Sequence, residues 1–172
     1  MQVRSYLLLN LNRAIAVFLL IPCLLASAAE LKPGALAPDF TLKSQSGENL
    51  RLREYRGNVV MINFWASWCG PCRQEMPVLN QLFEKYSSAG FMLFGVNGDT
   101  DADAVSQMTK KYKISYPILL DKDKKISEMY RVNAMPMTFL IDRDGKLRYL
   151  HKGYLSGYEK DYQSEIRELL KE

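Results

Sequence analysis

Trp65-Ala66-Ser67-Trp68-Cys69-Gly70-Pro71-Cys72 lies between an apolar run, Val59-Val60-Met61-Ile62-Asn63-Phe64, and a helical pattern extending to about Lys85. The apolar run reads as a buried strand, so the octet occupies a strand-to-helix junction. Two cysteines two residues apart at such a junction are placed for thiol–disulfide exchange. Cys69 falls at the helix N-terminus, where unpaired N–H groups and the macrodipole favour a thiolate. Cys72 follows one turn later, close enough to close a disulfide or resolve a mixed one. Pro71 suits the first turn, where its missing N–H is not needed. The competing use of the pair, a structural zinc site, needs two more ligands, and the chain offers only Cys23 and His151.

Outside this junction the chain sets broad bounds. Its 172 residues are enough for one domain with a proper core. The 23 basic and 19 acidic residues give a net charge of +4. Without residues 1–28, which carry Arg4 and Arg13, the balance is 21 to 19, and no basic patch stands out beyond Lys122–Lys125, interrupted by Asp123. That is too even to point to nucleic acid.

Residues 1–28 have the pattern of a secretory signal: Arg4 and Arg13, an apolar core from Ala14 to Ala26, and a small-x-small site at Ala26-Ser27-Ala28. The apolar core is short for a spanning helix. Leu7 to Leu11 lengthens it, so an uncleaved membrane tether through residues 7–26 stays open. Pro22 is a poor residue to precede a lipidated Cys23. The expectation is a periplasmic or otherwise exported protein, possessing after cleavage only Cys69 and Cys72. In an oxidising compartment such a pair is either a static disulfide or a redox centre, and the Trp-flanked, helix-terminal setting favours the latter.

Residues 29–38 read as an extended linker and 39–172 as one domain. Short strands at 39–43 and 49–52 flank a turn at Ser44-Gln45-Ser46-Gly47. Pro77 is expected to kink the long helix. Strands are expected at 91–97, 116–120, 137–141 and 147–151, the last two joined by Asp142-Arg143-Asp144-Gly145. Helices are expected at 104–112, 126–130 and 158–171, with Tyr162, Ile166, Leu169 and Leu170 on one apolar face. The acidic loop 98–103 reads as a solvated connector. The pattern is α/β, with a central mixed sheet flanked by helices and an N-terminal β-hairpin extension.

The active-site octet followed by Arg73-Gln74-Glu75-Met76-Pro77 resembles the thioredoxin superfamily, and within it the exported TlpA/ResA/CcmG-type thiol–disulfide oxidoreductases. Ala37-Pro38-Asp39-Phe40-Thr41-Leu42 and Ala134-Met135-Pro136-Met137-Thr138-Phe139-Leu140-Ile141-Asp142 carry the resemblance further, over residues 35–172. It implies a thioredoxin fold and a cis bond before Pro136, leaving the Met135 backbone to pair with an incoming polypeptide. Where cytosolic thioredoxins place an acid in the strand before the site, this chain has Asn63. Glu75, one turn after Cys72 and on its face of the helix, matches an acid of the TlpA-like branch.

The resulting expectation is a protein-disulfide reductase. Cys69 attacks a client disulfide, Cys72 resolves the mixed disulfide, and Glu75 helps to deprotonate Cys72. Trp68 shields the pair and offers an apolar contact, while Gly70 and Pro71 tune the potential. The redox-active disulfide itself serves in place of a cofactor, with no metal. The resemblance implies a membrane-embedded thiol donor as recharging partner, and apocytochrome c or metal-site cysteines as clients. Three alternatives stay open: a disulfide-donating oxidant; a Cu(I) chaperone or holdase using both sulfurs; and a peroxidase, disfavoured because Ala66 stands where peroxiredoxins have threonine.

Overall fold

The structure, a computed structural model, describes residues 31–172. The expected signal segment, its alternative as a tether through residues 7–26, and Cys23 lie outside the described residues. Among those residues no helix is long and apolar enough to cross a membrane.

A five-stranded sheet forms the centre, in the order β5-β4-β3-β6-β7. Its middle strand, β3 (Val59–Trp65), is buried at every position, as a continuous apolar run requires when both faces of a sheet are covered. β4 (Phe91–Asn97) pairs with it in parallel and β6 (Met137–Ile141) antiparallel. β5 (Ile118–Leu120) and β7 (Leu147–Lys152) form the edges. The sheet is therefore mixed, as the alternating pattern and closing hairpin imply. A small antiparallel hairpin, β1 (Thr41–Lys43) with β2 (Asn49–Arg51), forms a second sheet whose turn is bridged to β5 at Ser44 and Leu119.

Alternate residues of β3 serve opposite layers. Val60, Ile62 and Phe64 join Phe94, Tyr130, Phe139, Phe40 and Leu52 on one face. Met61 and Trp65 join Met76, Leu79, Tyr162, Ile166 and Leu169 on the other, beneath α1 (Gly70–Tyr86) and α4 (Tyr158–Leu170). Alternation puts Asn63 on this second face, with Gly95 of β4 and Thr138 of β6 as its register partners. Gly95 admits no side chain: a Cβ there would lie 2.8 Å from Ile118 Cδ1, 2.9 Å from Tyr116 Cε2 and 3.1 Å from Trp65 Nε1.

Pro77 lies within α1. Two local details differ from the sequence reading. α2 (Ala102–Lys111) starts two residues early, because Asp101 Oδ1 accepts hydrogen bonds from Asp103 N and Ala104 N at 2.9 and 3.2 Å. The stretch before Pro38 is not a free spacer. Gly34 N donates to Leu147 O at 2.7 Å, Leu147 N to Ala35 O at 2.8 Å and Ala37 N to Gly145 O at 2.9 Å, so it docks on the β6–β7 turn. At the opposite edge Gln45 N donates to Ile118 O at 2.8 Å. The short helix α3 (Lys125–Met129) is capped from Asp121, whose carboxylate accepts from Ile126 N and Ser127 N.

Candidate active site

Cys69 is the N-cap of α1, and its sulfur accepts from Cys72 N at 3.2 Å. The two sulfurs are bonded, with Cα atoms 5.3 Å apart. Both cysteines are almost fully buried and belong to the apolar cluster under α1. Pro71 stands in the first turn, as the missing N–H favours. Trp68, by contrast, is 71% exposed, so it is a surface residue rather than part of the core.

The turn carrying Trp68 is fixed by a residue that sequence pattern places in a solvated connector. Asp99 is only 8% exposed. Its Oδ2 accepts from Ser67 N at 2.7 Å and from Asn97 Nδ2 at 3.0 Å. Arg73 Nη1 donates to Ser67 O at 3.1 Å, and Cys69 N to Ala66 O at 3.1 Å. The first aspartate of the acidic loop is thus part of the site's frame; Asp101 and Asp103 remain exposed.

Met135 and Pro136 are joined by a cis peptide bond. Pro136 is buried, and its carbonyl accepts from Gly153 N at 2.7 Å. Met135 is partly buried and packs against the cluster holding both cysteines.

Glu75 is the unusual group. It lies one turn beyond Cys72 on α1 and has no exposed surface. Asn63 Nδ2 donates to its Oε2 at 2.8 Å, Tyr162 OH to its Oε1 at 2.7 Å and Thr138 Oγ1 to its Oε1 at 3.3 Å. Burial pushes the carboxyl up to about 7, against the downward pull of these three donors and of His151. A carboxyl poised there takes up or gives away a proton near neutral pH. Sequence pattern singles out Glu75, but gives Thr138 no chemical role and makes Tyr162 a core residue. The signal available for Asn63 was a polar residue inside an otherwise apolar strand, on the face shared with Met61 and Trp65.

A redox-capable Cys-x-x-Cys at the tip of the central strand, capping the helix that follows it in a thioredoxin-type sheet, defines a thiol–disulfide oxidoreductase. The AhpC/TSA family model matches residues 33–150, and the chain belongs to that family. It is similar to the thiol–disulfide oxidoreductase ResA of Bacillus thuringiensis (strain Al Hakam), 35% identical over 144 residues that cover 84% of this chain and 83% of that one. ResA of Bacillus subtilis (strain 168) is 33% identical over 122 residues, 71% of this chain and 68% of its own. Among solved structures, a Chlorobium tepidum protein assigned as the thiol:disulfide interchange protein DsbE matches with a TM-score of 0.78 at 35% identity, over 82% of this chain and 99% of that one. A Bacteroides thetaiotaomicron protein assigned as a protein disulfide isomerase gives 0.77 at 34% identity, over 84% and 93%.

Proposed function

We propose that this protein is an exported disulfide reductase whose buried acid, Glu75, serves the resolving thiol. The observation that carries this reading is the position of Glu75, one helical turn behind Cys72, enclosed, and poised near neutrality. In the reduced protein the Cys69 thiolate, favoured by the helix N-terminus, attacks one sulfur of a client disulfide and expels the other as a thiolate. The Cys72 proton passes to Glu75. The Cys72 thiolate then attacks Cys69, the mixed disulfide breaks, and the client's second sulfur leaves as a thiolate. The protein ends oxidised by two electrons and the client reduced by two.

Trp68 offers the apolar surface against which a client segment rests, with Met135 packed against the cluster that holds both sulfurs and joined to Pro136 by the cis bond. Gly70 and Pro71 set how readily the reduced helix end is accommodated. Repeated turnover in an oxidising compartment requires a membrane-embedded thiol donor, with apocytochrome c or metal-site cysteines as clients. The relatives' shared name, thiol–disulfide oxidoreductase, supports the chemistry without its direction.

Direction is tested by the reduction potential of the Cys69–Cys72 pair, measured in glutathione or dithiothreitol buffers. A value below about −220 mV supports the reductase; one near −120 mV, typical of strong oxidants, overturns the direction assigned.

A further inference from the structure

We infer that Tyr162 of α4 is a positioning residue for Glu75: its hydroxyl holds the buried carboxylate in the ionised form that accepts the Cys72 proton. This rests on the reading of Glu75 as the base for Cys72. A carboxyl with no exposed surface ordinarily keeps its proton, because the charged form loses its hydration. The donors that offset this loss are all neutral: Asn63, Thr138 and Tyr162. They are not equivalent. Asn63 Nδ2 divides its two protons between Glu75 and Thr138 Oγ1. Thr138 Oγ1 is the most distant, at 3.3 Å. Tyr162 OH, at 2.7 Å, is the closest and directs its one proton at Oε1, in the distance range of a charge-assisted O–H···O bond.

The tyrosine is held in that pose from behind. Its ring is fully buried and meets His151 of β7 edge-on, with centroids 4.8 Å apart and planes at 87°. His151 Nε2 in turn lies 2.8 Å from Glu165 Oε2, one turn further along α4. Tyr158 packs against both His151 and Tyr162. The pair His151–Glu165 thus ties α4 to β7 at the level that aims the hydroxyl. Cys72, bonded to Cys69, lies one turn before Glu75 on α1, and the titratable groups that interact with Glu75 are Tyr162 from α4, His151 from β7, Tyr116 before β5 and Tyr154 before α4. His151, when protonated, favours the carboxylate; Tyr116 and Tyr154 stay neutral, their hydroxyls pushed up first by burial.

The test is Tyr162→Phe, which keeps the ring and removes the hydroxyl. The pH midpoint of mixed-disulfide resolution should rise by about one to two units, as loss of a hydrogen bond to a charged group implies. Resolution at pH 7 should slow about tenfold, one pH unit being one factor of ten in the ionised fraction. The Glu75 carboxyl, followed by carbon-13 NMR, should titrate higher by the same interval. Tyr149→Phe is the control: it removes a hydroxyl that bonds Glu168 on the exposed side of α4, and should leave both readouts in place. An unchanged carboxyl titration in Tyr162→Phe overturns the inference. Glu75→Gln separates the two layers. If it leaves the resolution profile unchanged, the base reading falls. If it abolishes the pH dependence while Tyr162→Phe alters nothing, only the role of Tyr162 falls.

Discussion

Asn63 Nδ2 lies 2.8 Å from Glu75 Oε2 and 2.9 Å from Thr138 Oγ1, so one strand amide faces a buried acid on a helix and a hydroxyl on the neighbouring strand. One N–H goes to the carboxylate and the other to the hydroxyl, which fixes the amide's orientation. An acid at this position would turn a donor into a second carboxylate. Asn63→Asp is expected to cost about 3 kcal/mol or more at pH 8, because two enclosed carboxylates in contact cannot both ionise. At pH 5, where a shared proton relieves the repulsion, the loss should be visibly smaller. Urea denaturation at the two pH values checks this; an equal loss at both would mean that the amide acts by packing alone.

Glu75 gives the protein a stability that declines toward alkaline pH. The unfolded chain releases the glutamate proton near 4.5, whereas the folded protein retains it up to about 7. Between those values the folded state binds more protons, so stability falls as pH rises, by about 3 kcal/mol across the interval. Glu75→Gln removes this contribution. The stability of wild type relative to the variant should therefore drop by about that amount between pH 4 and pH 8. Parallel stability curves would contradict the raised carboxyl.

Trp68 separates folding from client contact. With most of its surface in solvent, Trp68→Ala should alter unfolding free energy by no more than about 0.5 kcal/mol. Reduction of a disulfide-bonded client peptide should lose about tenfold in kcat/KM, the scale of a central aromatic contact. Unaltered kcat/KM would remove the indole from the client surface.

Gly95 offers a test of the packing behind the site. A methyl group there meets Ile118, Tyr116 and Trp65 at 2.8 to 3.1 Å. Gly95→Ala should destabilise the protein by about 1–3 kcal/mol, measured by chemical denaturation. A neutral result would show that the Ile118 and Tyr116 side chains yield without cost.

Short-range signals made the fold and the two sulfurs legible. The octet at 65–72 marks a strand end and a helix start by local chemistry, and the apolar runs at 59–64 and 91–96 announce strands by composition. Glu75 was accessible through helical spacing from Cys72. Its enclosure was not, because the atoms that enclose it come from distant places: Thr138 stands 63 residues away and Tyr162 stands 87. Helical period assigns Tyr162 inward, but period cannot show that the inward hydroxyl ends on a carboxylate. Asp99 failed for a related reason. Its acidic neighbours suggest solvent, whereas its register beyond the end of β4 brings it against Ser67 N, 32 residues earlier.

The same long spacing divides the site into a local part and a distant part. Strand β3 and the start of α1 hold both sulfurs within one contiguous stretch, so Cys69 and Cys72 need little else to meet. The enclosure around Glu75 needs β6 and then α4, just as residues 34–37 need Gly145 and Leu147 in place before they can dock. A chain truncated before Tyr162 would carry the thiols without the hydroxyl that attends their acid. The C-terminal helix is therefore the element whose arrival converts a pair of cysteines into a site with its full proton environment.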